Sequence, residues 1–154
     1  MEELRDFTER DFFRALDRLP DVRGDELDRL TFAAVSLAAD AMAGDEGIST
    51  GAVQGAGAFI SGVLLAIALN DGEASDVDRI WLSDGATEIS ARGRHAVIAE
   101  RCDLQAVAMV EGAYADKLAA QVHGLSDDES GRLRDVLVRL FESGLALGLL
   151  GEGG

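Results

Sequence analysis

From Ile48 to Asn70 the chain carries no charged residue, although Asp and Glu number 29 and Lys and Arg 14 among its 154 residues. A run of that length either crosses a membrane or is surrounded by the rest of the fold. Gln54, Ser61 and several glycines dilute its hydrophobicity, and Asp45, Glu46, Asp71 and Glu73 flank it on both sides. With no Lys or Arg nearby to orient it in a bilayer, the run is expected to be a buried central helix capped by Ser49 or Thr50, and no membrane partner is expected. Gly51 and Gly55, then Ala58 and Gly62, lie four apart, so a neighbouring backbone can approach closely along that stripe. Periodicity alone also allows a buried strand from Phe59 to Leu69, because Ile60, Val63, Leu64 and Ile67 fit either repeat.

The flanking segments read as amphipathic helices. Leu4, Phe7, Phe12, Ala15, Leu16 and Leu19 recur every three to five residues and predict a helix over 2–19, ending before Pro20. Leu27, Leu30, Ala34, Leu37, Ala38 and Ala41 predict a second over 25–43, with Gly44 as its C-terminal stop. Val107, Val110, Tyr114, Leu118 and Val122 predict one long helix over 94–123, weakened by Gly112. Ser126-Asp127-Asp128-Glu129 is a capping box that starts the last helix, whose apolar stripe is Leu133, Val136, Leu137, Leu140 and Phe141. Between Asp71 and Arg92 the pattern changes. Asp84-Gly85 signals a small β-hairpin near residues 79–91, and Ser75-Asp76-Val77-Asp78 competes as the start of a short helix. The expected fold is mainly α, about five helices packed around the buried uncharged one. Residues 1–150 form a single domain, and Gly151-Glu152-Gly153-Gly154 is a flexible tail.

Composition narrows the function classes. A net charge of -15 opposes nonspecific binding to phosphates and to anionic lipid, so nucleic acid is not an expected partner of the chain as a whole. Cys102 is the only cysteine and excludes an internal disulfide, and Met1 leads into an acidic segment rather than a signal sequence. A reducing, cytoplasmic location is the expectation. Lys117 is the single lysine, so arginine supplies the other 13 of the 14 basic residues. This resembles the composition of proteins from salt-loving organisms and follows equally from GC-rich coding.

No catalytic constellation stands out. His95 and His123 are the only histidines, and with one cysteine they make no zinc motif. Asp40, Asp45, Glu46, Glu100 and Glu111 could converge on a divalent metal, but none has the spacing of a ligand motif, so neither a metal nor a cofactor is assigned. Cys102 reads as a small buried hydrophobe, since no histidine is placed one helical turn away to act as its base. Gly51 to Gly57 lacks the Lys and Ser/Thr of a phosphate-binding loop and reads as close packing. One basic cluster interrupts the acidity. Arg92, Arg94, His95 and Arg101 are the candidates for contact with an anion or phosphate, set against internal ion pairing with the surplus acids.

Thr87-Glu88-Ile89-Ser90-Ala91-Arg92-Gly93-Arg94 resembles the end of the wing and the start of the following long helix in MarR-family regulators. Gly124-Leu125-Ser126-Asp127-Asp128-Glu129, leading into Leu133, Leu137 and Leu140, resembles the start of that family's final helix. The likeness spans about residues 75–142. It implies terminal helices that dimerise and a winged helix-turn-helix that reads DNA, with Arg92, Arg94 and Arg101 on phosphates. The residues themselves point first to a non-enzymatic interaction or assembly protein, homo-oligomeric or bound to another protein. Its contact surface is then expected on the last helix, at Leu137, Leu140, Phe141, Leu145, Leu147, Leu149 and Leu150, which occupy more than one face. The alternatives are a MarR-like transcriptional regulator and an enzyme with a carboxylate-bound metal.

Overall fold

The uncharged run is helical, and the other helices are arranged around it. The computed structural model describes residues 7–77 and 91–153. Among these residues the protein is helical with no strand: α1 (Glu9–Leu16), α2 (Gly24–Met42), α3 (Ala52–Leu69), α4 (Ala91–Arg101), α5 (Leu104–Ala119) and α6 (Asp127–Gly153). The hairpin expected around Asp84-Gly85 lies outside the described residues. Just before it, Ala74–Asp76 forms a 3-10 turn closed by a capping box from Glu73 and Asp76 rather than from Ser75.

Phe59, Val63, Leu65, Ala66 and Ile67 of α3 are essentially inaccessible to solvent. Ser49–Leu69 is long and apolar enough to cross a membrane by length and composition; its 18-residue apolar window has a mean hydropathy of 2.0 and is 61% buried within the chain. Neither Ser49 nor Thr50 caps α3. The helix is entered through a 3-10 turn, Ser49–Gly51, and the Ser49 hydroxyl donates back to the Glu46 carbonyl.

The partner of α3 is α6, and the two run in the same direction. Gly51 faces Leu133, Gly55 faces Leu140, Gly62 faces Phe141 and Leu145, and Gly148 faces Ala66. Parallel neighbours need a long connection, which the segment through α4 and α5 supplies. Every residue of α6 from Gly144 to Leu149 is buried, because α3, α4 and α5 all pack against it. The close-approach stripe read from the sequence does face this seam. Gly51 and Gly55 admit the side chains of Leu133 and Leu140, while Gly62 admits the backbone of α6 itself.

Local signals explain the helix ends. Thr8 and Asp11 form a capping box that starts α1, with the Thr8 amide donating to the Asp11 carboxylate at 2.9 Å. The sequence had this helix beginning at Glu2. Instead, the Phe7 amide donates to the Arg101 carbonyl at 2.6 Å, and the Asp103 amide donates to the Phe7 carbonyl at 2.8 Å. The same Asp103 corrects a second expectation, that 94–123 is one helix. Its carboxylate accepts from the amides of Gln105 and Ala106, which makes it the N-cap of a new helix after Cys102. α2 ends at Met42, one residue before the predicted boundary at 43, with Gly44 at φ +86°. Its buried ridge is Leu30, Ala34, Ala38 and Met42, whereas Leu27 is exposed. α6 continues to Gly153, past the Leu150 boundary drawn from the sequence.

The Ser126 capping box is present as read. The Ser126 amide donates to the Glu129 carboxylate at 2.9 Å, and the Glu129 amide donates to the Ser126 hydroxyl at 3.1 Å. Ser126→Ala is expected to lower stability by about 1 kcal/mol, read as a shift of the urea midpoint with unchanged slope. Arg132, one turn further on, ties this helix start to the α2–α3 loop through Asp45 at 2.9 Å and also pairs with Asp128.

Candidate functional site

The C-terminal leucines do not form a free surface. Leu137, Leu140, Phe141, Leu145, Leu147 and Leu149 are all buried in the chain's own core, and of the seven candidates only Leu150 is exposed. The sequence shows that they occupy several faces. It does not show that α3, α4 and α5 surround α6 on all of them. Free apolar surface lies elsewhere, most prominently on α2. Phe32 is 77% exposed and Val35, one turn along, 46% exposed, both off the ridge that packs on α3. The helical spacing of α2 shows that one stripe is apolar. It gives no sign that Phe32 lies outside that stripe's contact.

The basic cluster is split by the fold. Arg94 and His95 turn toward α6, where Arg94 Nε lies 3.7 Å and His95 Nε2 3.4 Å from Oε1 of Glu142. Arg101 points away from them. Its guanidinium donates to the Asn70 side chain at 3.3 Å and sits 5.3 Å above the Phe7 ring centroid. The Arg92 side chain lies outside the described residues.

Arg94 and His95 line a cleft of about 600 Å³ between α4, α5 and α6, together with Glu111, Gly112, Arg134, Arg139 and Glu142. Arg94 is only 7% exposed. A buried guanidinium needs hydrogen bonds to offset its desolvation. Its ion pair with Glu142 is longer than a hydrogen bond, and its Nε has no hydrogen-bond partner. Across the cleft, Oε2 of Glu111 is likewise buried and unpartnered. Burial pushes the Glu111 carboxyl up to about 8, helped by the charge of Glu142 and the hydrogen bond between the two, while Arg134 and Arg94 pull it down. At neutral pH the Glu111–Glu142 pair therefore holds a proton between its two carboxyls. Arg134 is held at the rim by Asp116 at 2.7 Å, and Gly112 leaves room for it.

Glu111 was one of five acids weighed as metal ligands, and the fold does not bring those five together. Asp45 pairs with Arg132 and does not line the cleft. Among the described residues no group of three or more His, Cys, Asp or Glu is placed to hold a metal ion. Cys102 is buried, 4% exposed. α3 faces the core along most of its length. A second recess of about 240 Å³ adjoins the cleft. It shares His95, Glu111 and Glu142 with it and is otherwise lined by Ile98, Ala99, Leu104 and Val107. No protein-family model, curated protein or solved structure matches this chain.

Proposed function

We propose that the protein is a non-enzymatic interaction or assembly protein of the cytoplasm that pairs with a second copy of itself through the outer side of α2. The exposure of Phe32 beside Val35 carries this reading. A phenyl ring left in water at 77% forgoes most of the burial energy it offers, roughly 1.5–3 kcal/mol for a side chain of that size. A two-fold contact covers the same patch on both copies at once. The burial of the α6 leucines in the chain's own core supports reading the contact on α2 rather than on α6.

The test is solution mass by light scattering behind a sizing column, in low and high salt, because the charge of -15 resists self-association until it is screened. The wild-type chain is expected to be a dimer or larger in high salt. Phe32→Asp is expected to be monomeric, and Leu150→Ser to behave as wild type. A wild-type monomer under both conditions overturns the reading, as does a dimer indifferent to Phe32→Asp.

A further inference from the structure

We infer that the cleft between α4, α5 and α6, with its adjoining recess, is a binding site for a small aliphatic carboxylic acid, the carboxylate held by Arg94 and Arg139 and the chain lodged against Ile98, Leu104 and Val107. Three observations converge on this class of ligand. The cleft gathers three guanidinium groups and an imidazole, from Arg94, Arg134, Arg139 and His95, in a protein whose overall charge is -15. With a proton held between Glu111 and Glu142, the opposing charges are the single one of that pair, Asp135 and the Asp116 that holds Arg134, so the three guanidinium groups are matched rather than outnumbered and Arg94 and Arg139 are left to attract an anion. Second, Arg94 is a buried cation whose Nε lacks a hydrogen-bond partner, and a bound oxyanion is the usual way to satisfy a guanidinium.

The third observation concerns shape. The polar cleft and the recess share His95, Glu111 and Glu142, so they form one continuous site with a charged end and an apolar end. The residues confined to the recess, Ile98, Ala99, Leu104 and Val107, are all aliphatic, and Leu104 is 58% exposed, which keeps the apolar end open to solvent. Inorganic phosphate would use the charged end and leave the recess in water. An aliphatic carboxylate occupies both, and a few oriented polar groups beside an apolar wall are the usual composition of a small-molecule site.

The charged groups that line the cleft with Glu111 belong to the prediction: Arg94 and His95 from α4, Arg134, Asp135, Arg139 and Glu142 from α6, and from α5 the Asp116 that pairs with Arg134. When Glu111 ionises, the cleft gains a negative charge next to Glu142, so affinity for an anion falls as pH rises past about 8.

The experiment is titration of the full chain by calorimetry and amide chemical shifts, with hexanoate as probe and hexanol and inorganic phosphate as comparators. Hexanoate is expected to bind saturably below about 10 mM, at least about tenfold tighter than either comparator. Arg139→Gln at the exposed rim is expected to weaken it about tenfold without loss of folding, and Leu104→Gln to weaken hexanoate while leaving phosphate unchanged. Binding is expected to decline between pH 7 and 9 in the wild type and to lose that decline in Glu111→Gln. Absence of saturation overturns the assignment. So do hexanol binding as tightly as hexanoate, and hexanoate binding indifferent to both Arg139→Gln and Leu104→Gln. Each readout is independent of oligomeric state.

Discussion

Replacing Gly144 with alanine is expected to destabilise the protein by about 3 kcal/mol, lowering its melting temperature by roughly 10 °C. A Cβ at this position would collide with the backbone carbonyl of Phe59 and stand 3.0 Å from the Val63 amide nitrogen. These are main-chain atoms in the middle of α3, so no side-chain rotation relieves the clash. Either α3 and α6 separate along their whole contact or the helices distort locally, and either response opens gaps in a core that is close-packed. Gly62→Ala is expected to behave in the same way, since its Cβ would meet the Phe141 carbonyl and the Leu145 amide across the same seam. The control lies in the same helix. At Gly131 a Cβ meets nothing within 4 Å, and Gly131→Ala is expected to stabilise by about 0.5–1 kcal/mol through helix propensity. Urea denaturation of the three variants checks the pattern. A loss at Gly144 no larger than about 0.5 kcal/mol would mean that the helices do not approach this closely.

The second large effect is a pH dependence removed by Glu111→Gln. In the unfolded chain Glu111 has its ordinary value of 4.5, and in the folded chain it titrates near 8. Between these values the folded protein holds a proton that the unfolded chain has released, so its stability falls as pH rises. The contribution is fully present below 4.5 and is lost as pH climbs to about 8, above which it changes no further. Glutamine keeps the shape and a hydrogen-bond donor toward Glu142, but it never ionises. Because the Glu111 side chain is only partly buried and solvent screens it, Glu111→Gln is expected to be more stable than wild type by on the order of 1 kcal/mol at pH 8.5 and nearly equal to it at pH 5. Comparing the two proteins cancels the titration of the other acids. Parallel stability curves from pH 5 to pH 8.5 would show that Glu111 ionises normally.

Several elements are readable from residue order because their causes are local. The Ser126 cap, the Gly44 stop and the uncharged centre each depend on a few neighbouring side chains or on one uninterrupted composition, and all three are where the sequence puts them. Two further helix starts are encoded just as locally. Thr8 and Asp11 announce the start of α1, and Asp103 immediately before Leu104 announces the start of α5. Apolar periodicity runs through the Cys102–Asp103 break because both helices bury one face against the same core.

The cleft shows what local reading misses. Arg94 and His95 were singled out with Arg101, seven positions from Arg94 and so two helical turns along, yet the fold turns Arg101 toward Asn70 and Phe7. In the sequence Glu142 is an isolated charge within an apolar helix, and Glu111 is one acid among 29. Their shared proton exists only because α5 and α6 pack side by side, which brings two carboxyls together that lie 31 positions apart in sequence.

By itself the sequence determined the mainly helical class, the burial of the uncharged run and the glycines that let a neighbour approach it, because burial of uncharged surface and the absence of a Cβ are properties of the residues; that the run is helix throughout rather than strand from Phe59 was left to the structure. Only the tertiary structure decided which helix fills that approach. By surrounding α6 it took the C-terminal leucines out of solvent, left Phe32 in it, and set a protonated carboxyl among guanidinium groups, since exposure and ionisation depend on what lies across a contact rather than along the chain.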